Sequence, residues 1–278
     1  MNPPDYDSII ALNYSGCKAL LRSPAHYQAW LTEERKPTPA TKFGTMAHLA
    51  VFQPKAFNER VVILPEDAPD KPTAAMLAAY AAGSKKQKPE TVERIQWWER
   101  INSSVTEGAE TVSQAEYDHI ADVAESAEKA IASVGVDAAV WEVESPLTKD
   151  YAGITIKGRP DLVTVSKGKR VVIDLKTTED ASPWAFSSDI NKFKYHLQAA
   201  FYIELTGADS FVIVAVEKSP PFAWKAYVLD AASLEVGRTL MAAAAATYKE
   251  CLTFSAWPSY DGSLTEISIP KYALPNQA

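Results

Sequence analysis

The stretch GRPDLVTVSKGKRVVIDLKTT, residues 158–178, decides how this chain is read. Its apolar runs are rich in β-branched residues, and Ser166-Lys167-Gly168-Lys169 has the composition of a tight turn, so it reads as two strands joined in a hairpin. Side chains alternate between the two faces of a strand. On the second strand Val172, Asp174 and Lys176 therefore share one face, and Val171, Ile173 and Leu175 the other. On the first, Arg159, Asp161 and Val163 share a face. Pairing across the turn brings Asp161, Asp174 and Lys176 to one end of the ladder. Two carboxylates that close repel each other unless positive charge lies between them. Such an oxygen-rich, anionic place fits a hard divalent cation, Mg²⁺ or Mn²⁺. A bare Asp-x-Lys reads equally well as two solvated strand-end charges. Here, however, Asp174 directly follows Val171-Val172-Ile173, and charge in so apolar a strand is rarely left without a partner.

Pro160-Asp161 followed by Asp174-Leu175-Lys176 resembles the PD-(D/E)xK nuclease signature. Three longer blocks, at residues 158–163, 173–178 and 195–202, are similar in order and spacing to the phage exodeoxyribonuclease VIII-like (RecE-type) nucleases. The resemblance extends to Ser23-Pro24-Ala25-His26-Tyr27, to Gly44-Thr45-Met46-Ala47-His48 and to Trp257-Pro258, and is weakest over residues 65–113. It implies an α/β, restriction-endonuclease-like core: a central mixed β-sheet flanked by helices, with a helical N-terminal part. It implies metal held by His48, Asp161, Asp174 and the backbone carbonyl of Leu175, with Lys176 positioning or helping to deprotonate the attacking water and offsetting charge on the transition state. Gln198 and Tyr202 are implied to face the site and contact DNA. The implied activity is Mg²⁺-dependent (or Mn²⁺-dependent) exonucleolytic hydrolysis from double-stranded DNA ends, 5′ to 3′. A single-strand annealing recombinase is the implied partner and a ring-shaped homo-oligomer the implied assembly. A non-specific or structure-specific endonuclease on the same metal core, and a non-catalytic DNA-end-binding accessory protein, are the alternatives.

Composition is that of an ordinary globular protein, 47% apolar and 23% charged over 278 residues. With 28 Lys and Arg against 35 Asp and Glu the net charge is −7, which does not point to nucleic acid; a nuclease of this composition must confine its basic residues to one groove. Cys17 and Cys251 stand alone, so they form neither a disulfide framework nor an iron–sulfur site. No long apolar run or signal-peptide pattern is present, which predicts a cytoplasmic protein without a membrane partner.

Along the chain, Ser23-Pro24 predicts a capped helix to about residue 34, packed through Leu20, Tyr27, Trp30 and Leu31. Residues 36–40 read as a loop and 43–52 as an apolar helix ended by Pro54. His48 lies within that helix and reads either as a packed core histidine or, by the resemblance, as a metal ligand. A short strand at 59–64 and helices at 74–82, 91–105 and 113–133 follow, the last opened by the capping-box pair Ser113 and Glu116. Lys85, Lys86 and Lys88 lie in the densest basic run, either a solvated loop or a contact to the phosphate backbone. Residues 139–145 read as a strand that starts the sheet. Glu144 in it is an exposed edge residue or a carboxylate that supports or joins the metal ligands. A helix is predicted from about residue 191 to 207. It places Lys192 and Lys194 at its start, where phosphate meets the helix dipole, and Tyr195, Gln198 and Tyr202 on one face. That face is half-buried packing on pattern alone. Strands at 210–217 and 223–229 and an alanine-rich helix at 231–252 complete the core, with Trp257-Pro258 packing the tail onto it. One domain is expected, helical over about 1–135 and sheet-built over about 136–255.

Overall fold

The structure, a computed structural model, describes residues 6–34, 36–84, 87–105, 108–137 and 139–269. A one-turn 3-10 helix at Tyr6–Ser8 precedes α1 (Tyr14–Leu20), α2 (Pro24–Thr32), α3 (Pro39–Phe52) and α4 (Pro54–Arg60). Then come β1 (Val61–Ile63), α5 (Ala74–Ala81), α6 (Pro89–Ser104), β2 (Glu110–Val112) and α7 (Gln114–Ser133). The central part holds β3 (Glu142–Val143), β4 (Leu147–Tyr151), β5 (Ile154–Gly158), β6 (Leu162–Ser166) and β7 (Lys169–Thr178). The chain closes with α8 (Pro183–Phe193), α9 (Tyr195–Thr206), β8 (Ser210–Glu217), β9 (Trp224–Val228) and α10 (Ala231–Phe254).

The hairpin expected from residues 158–178 is β6–β7, in register from Ser166 opposite Lys169 to Leu162 opposite Ile173. Lys167 and Gly168 take φ of 51° and 76°, the positive values a two-residue turn needs to match the twist of its strands. The main sheet has the order β3-β6-β7-β8-β9. β7 and β8 are parallel from Val171 opposite Ser210 to Thr178 opposite Glu217, and the other pairs are antiparallel. A parallel pair needs a crossover, here α8 and α9. Leu162, Val171, Ile173 and Leu175 pack one sheet face against α3 and α7 through Ala47, Val51, Val123 and Ala127. Val163, Val172, Phe211 and Ile213 pack the opposite face against Phe186 of α8 and Ala199 of α9. The chain thus has the expected α/β organisation, a mixed sheet between helical layers. Among the described residues no helix is long and apolar enough to cross a membrane.

Several expectations are corrected. The first hairpin strand does not start at Gly158: residues 154–158 form β5, which pairs with β4 in a separate two-stranded sheet, and β6 begins at Leu162. The chain bends through Arg159-Pro160-Asp161, because proline cannot serve a continuing ladder. Arg159 is exposed and lays its guanidinium 4.6 Å from the Tyr6 ring, so it does not share a sheet face with Asp161. The strand expected over 139–145 shrinks to Glu142–Val143, since Glu144 takes φ of 46° and leaves the ladder. Helix α3 starts at Pro39, where Thr38 accepts the Thr41 amide as cap, and Pro54 opens α4 as well as ending α3. Leu31 is 53% exposed rather than packed. The single helix expected at 191–207 is two, α8 and α9, broken at Lys194 with φ 63° and ψ 37°. Lys192 accordingly sits in the last turn of α8, where no helix N-terminus reinforces it. The tail packs as expected, with Trp257 stacked on Tyr27 at 5.4 Å and the Pro258 carbonyl accepting the Ala25 amide.

The alanine-rich α10 crosses α9 at Gly237, where a Cβ would lie 2.0 Å from the His196 carbonyl oxygen. That oxygen and the His196 carbonyl carbon, 2.7 Å away, are backbone and cannot swing aside. Gly237→Ala is therefore expected to destabilise the protein by about 3 kcal/mol, against the roughly 1 kcal/mol alanine gains in a helix interior. A urea midpoint equal to or above that of the parent would refute this close approach.

Candidate active site

The site forms where two paired strands become one. β6 ends at Leu162, while β7 runs on to Thr178. Beyond Leu162 the β6-side backbone groups of β7 lose their ladder partner, and buried backbone groups need one. At Leu175 two side chains serve instead. Its amide donates to Asp161 Oδ2 at 2.8 Å, and its carbonyl accepts from His48 Nε2 at 2.9 Å. His48 reaches there from α3, anchored by buried Met46, Ala47, Leu49 and Val51. A carbonyl only accepts, so Nε2 carries the hydrogen. Nδ1 then faces Asp161 Oδ2 at 3.3 Å and is the nitrogen open to a ligand.

Glu144 completes the cluster. Its positive φ turns it out of β3, and its amide donates to the Asp161 carbonyl at 3.2 Å. One ligand atom each from His48, Glu144 and Asp161 lies within 4.8 Å of the others. Burial pushes the Asp161 carboxyl above the usual carboxylate range, with Asp174 adding to the rise and His48 opposing it. Burial and then Asp161 push Glu144 up. Paired carboxyls raised by burial and mutual repulsion, beside an imidazole nitrogen, make a donor set that fits a divalent cation.

Asp174 lies on the adjoining face and is 1% exposed. Gln198 Nε2 donates to its Oδ1 at 2.7 Å, and its Oδ2 forms an ion pair with Lys176. Burial disfavours the Lys176 ammonium, but Asp174 and Asp161 outweigh it and hold its pKa above the ordinary lysine range. Its Nζ also sits 5.1 Å from the Tyr195 ring centroid. The Tyr202 hydroxyl donates to the Arg159 carbonyl at 3.2 Å, and burial followed by Asp174 keeps it neutral.

The structure thus gathers His48, Glu144, Asp161, Asp174, Leu175, Lys176, Gln198, Tyr195 and Tyr202 around the end of β7. Asp174 is engaged by Lys176 and Gln198, outside the His48–Glu144–Asp161 group, and Glu144 stands inside that group rather than at an exposed edge. Lys192 is exposed over the Phe193 ring at 5.0 Å. Lys88 immediately precedes α6 and has no described contact with the site. Lys85 and Lys86 lie outside the described residues. Tyr14 escaped sequence reasoning. Its hydroxyl donates to the Phe193 carbonyl at 2.7 Å, and its own acidity is suppressed by burial and then by Asp174. Nothing in the local pattern of α1 distinguishes it from a packing residue.

A mixed sheet with this carboxylate and lysine end defines the class, a PD-(D/E)xK-type fold. The sequence profile of the PDDEXK-like domain of unknown function (DUF3799) matches residues 13–267, and the chain belongs to that family. Membership bears out the resemblance to PD-(D/E)xK nucleases. Among solved structures, one provisionally named as an exonuclease, from Eubacterium rectale, is 14% identical, with TM-score 0.49, over 94% of this chain and 91% of its own. The alkaline exonuclease of Laribacter hongkongensis is 16% identical, with TM-score 0.31, over 47% of this chain and 67% of its own. No curated protein matches the chain in sequence.

The raised pKa of Asp161 and of Glu144 fixes a sign. Their contribution to metal-free stability is fully present below about pH 4 and is lost as pH rises through their elevated folded values. At neutral pH they strain the fold unless a cation joins them. Asp161→Asn keeps an acceptor for the Leu175 amide and removes one charge, so its metal-free melting temperature at pH 7 should equal or exceed that of the parent. Millimolar Mg²⁺ should raise the parent's melting temperature by a few degrees, reversibly with EDTA, and leave the variant unmoved. An equal Mg²⁺ response in both proteins would place the ion elsewhere.

Proposed function

We propose that the protein is a metal-dependent exodeoxyribonuclease that hydrolyses phosphodiester bonds from double-stranded DNA ends, 5′ to 3′, and works with a single-strand annealing protein in phage-type recombination. The observation that carries the hydrolytic reading is the convergence of His48, Glu144 and Asp161 with the Asp174–Lys176 pair at the end of β7, in a chain of a PDDEXK-like family. End preference, polarity, the annealing partner and a ring assembly rest on the likeness of residues 158–163, 173–178 and 195–202 to RecE-type nucleases.

Asp161, Glu144 and His48 Nδ1 would hold a divalent ion, with Asp174 and the Leu175 carbonyl beside them. At this place the ion supplies Lewis-acid polarisation of the phosphate and a lowered water pKa. Lys176 contributes as a cation: an ammonium held above the usual lysine range is a poor base, and it offsets negative charge growing on the phosphoryl oxygens. Gln198 acts through Asp174, fixing its orientation with the 2.7 Å hydrogen bond. The neutral Tyr202 hydroxyl, beside exposed Arg159, orients the strand.

Linear duplex labelled at either 5′ end, incubated with Mg²⁺ or EDTA beside closed circular DNA, tests this reading. Mg²⁺-dependent loss of the linear DNA alone is expected, with Asp174→Ala slower by about 10³-fold and Lys176→Ala by about 10²-fold or more. Cleavage of the closed circle would assign an endonuclease instead. DNA binding without cleavage by any metal would assign an accessory protein.

A further inference from the structure

A recess of about 340 Å³ opens between the N-terminal segment and the end of β5, and reaches Glu144. Main-chain hydrogen bonds lay that segment along the strand. The Leu12 amide donates to the Thr155 carbonyl at 3.0 Å, and the Lys157 amide to the Leu12 carbonyl at 2.8 Å. Ahead of Leu12 the chain carries Tyr6 over two cations: Lys157 Nζ and Arg159 Cζ each lie 4.6 Å from its ring centroid. A ring attracts either cation, but two like charges on one ring repel each other.

Lys157 is 8% exposed, and no other lysine or arginine among the described residues is so enclosed. A buried ammonium ordinarily has a carboxylate, as Lys176 has Asp174. Lys157 has none among the described residues, and its Nζ makes one hydrogen bond, to the Tyr6 carbonyl at 2.9 Å. An ammonium carries three hydrogens, so two remain to be placed. Arg159 meets Tyr6 through its guanidinium and makes no side-chain hydrogen bond among the described residues. Neutral donors stand beside them. The Ser15 hydroxyl has no hydrogen bond among the described residues, and Asn13 spends only its side-chain oxygen, on the Gly16 amide at 2.7 Å. Glu144 is the one acidic residue among the described residues that line the recess. It also belongs to the group with His48 and Asp161, so the recess adjoins the candidate metal site. An enclosed ammonium, a guanidinium fork and small neutral donors suit an oxyanion with several oxygens to share, as a phosphate has.

We infer that this recess is a phosphate site, with Lys157 and Arg159 as its charged donors and Ser15 as a neutral one. Its place next to a scissile phosphate rests on the nuclease reading; the binding of phosphate does not. Calorimetric titration of the intact protein with inorganic phosphate, in EDTA and at fixed ionic strength, tests it. Saturable binding at one site is expected. Arg159→Gln and Lys157→Gln should each weaken it by about tenfold or more, and Ser15→Ala by about threefold. Arg159 is exposed, so its variant keeps the test open if Lys157→Gln does not fold. Lys71→Gln, which removes a lysine 5.5 Å from the Trp98 ring centroid, should leave the affinity unchanged. Competition then shows where the phosphate comes from. Displacement of inorganic phosphate by oligothymidylate assigns the site to a strand. Displacement by thymidine monophosphate but not by oligothymidylate assigns it to a free ester. No binding by the parent, or an affinity in Arg159→Gln equal to the parent's, would overturn the site. Neither metal nor turnover enters this measurement. A parent that binds phosphate yet cleaves no DNA therefore loses the nuclease reading alone, and one that cleaves DNA yet binds no phosphate loses the recess alone.

Discussion

The site depends on a strand that outruns its neighbour. Once β6 stops at Leu162, the Leu175 amide and carbonyl have no ladder partner, and Asp161 and His48 supply one each. These hydrogen bonds serve structure and chemistry together. They satisfy buried backbone, fix the tautomer of His48, and tie α3 to the sheet edge where the acidic groups meet. A backbone pair left unserved there costs on the order of a few kcal/mol, which explains why residues positioned for a cation also belong to the architecture.

Charge is arranged in layers around that point. Asp161 and Glu144 repel each other in a poorly solvated place, while Asp174 is neutralised by Lys176 and oriented by Gln198. One side of the site therefore lacks positive charge and the other holds it in balance. Outward from Lys176 the sign stays positive through Lys18 to Arg22 and Lys194. The acidic composition of the whole chain, 35 Asp and Glu against 28 Lys and Arg, hides this polarity.

Helix α9 is the element on which these layers meet. It buries Leu197 and Phe201 against the N-terminal helices and α10, and Ala199 against the sheet. Gly237 lets α10 approach its first turn until only a glycine fits. That contact fixes the height of α9 over the sheet, and with it the reach of Gln198 to Asp174 and the place of Tyr195 beneath Lys176.

Local pattern was enough for the hairpin, its turn, the alternation that puts Asp174 and Lys176 on one face, and the capped starts of α2 and α7. These follow from two-residue periodicity and from caps satisfied within a few residues. The resemblance added His48 and Gln198 to the site. The bend at Arg159-Pro160-Asp161, the break at Lys194 and the departure of Glu144 from β3 were beyond that reach. The last two are backbone conformations imposed by packing at a distance, in residues whose local preference allows a continuing strand or helix, whereas the bend follows from Pro160, which cannot serve a continuing ladder. The gathering of Glu144 with His48 and Asp161, and of Lys194 with Lys18 and Arg22, was decided by tertiary structure, because it joins segments about a hundred residues or more apart with no shared periodicity to announce the contact.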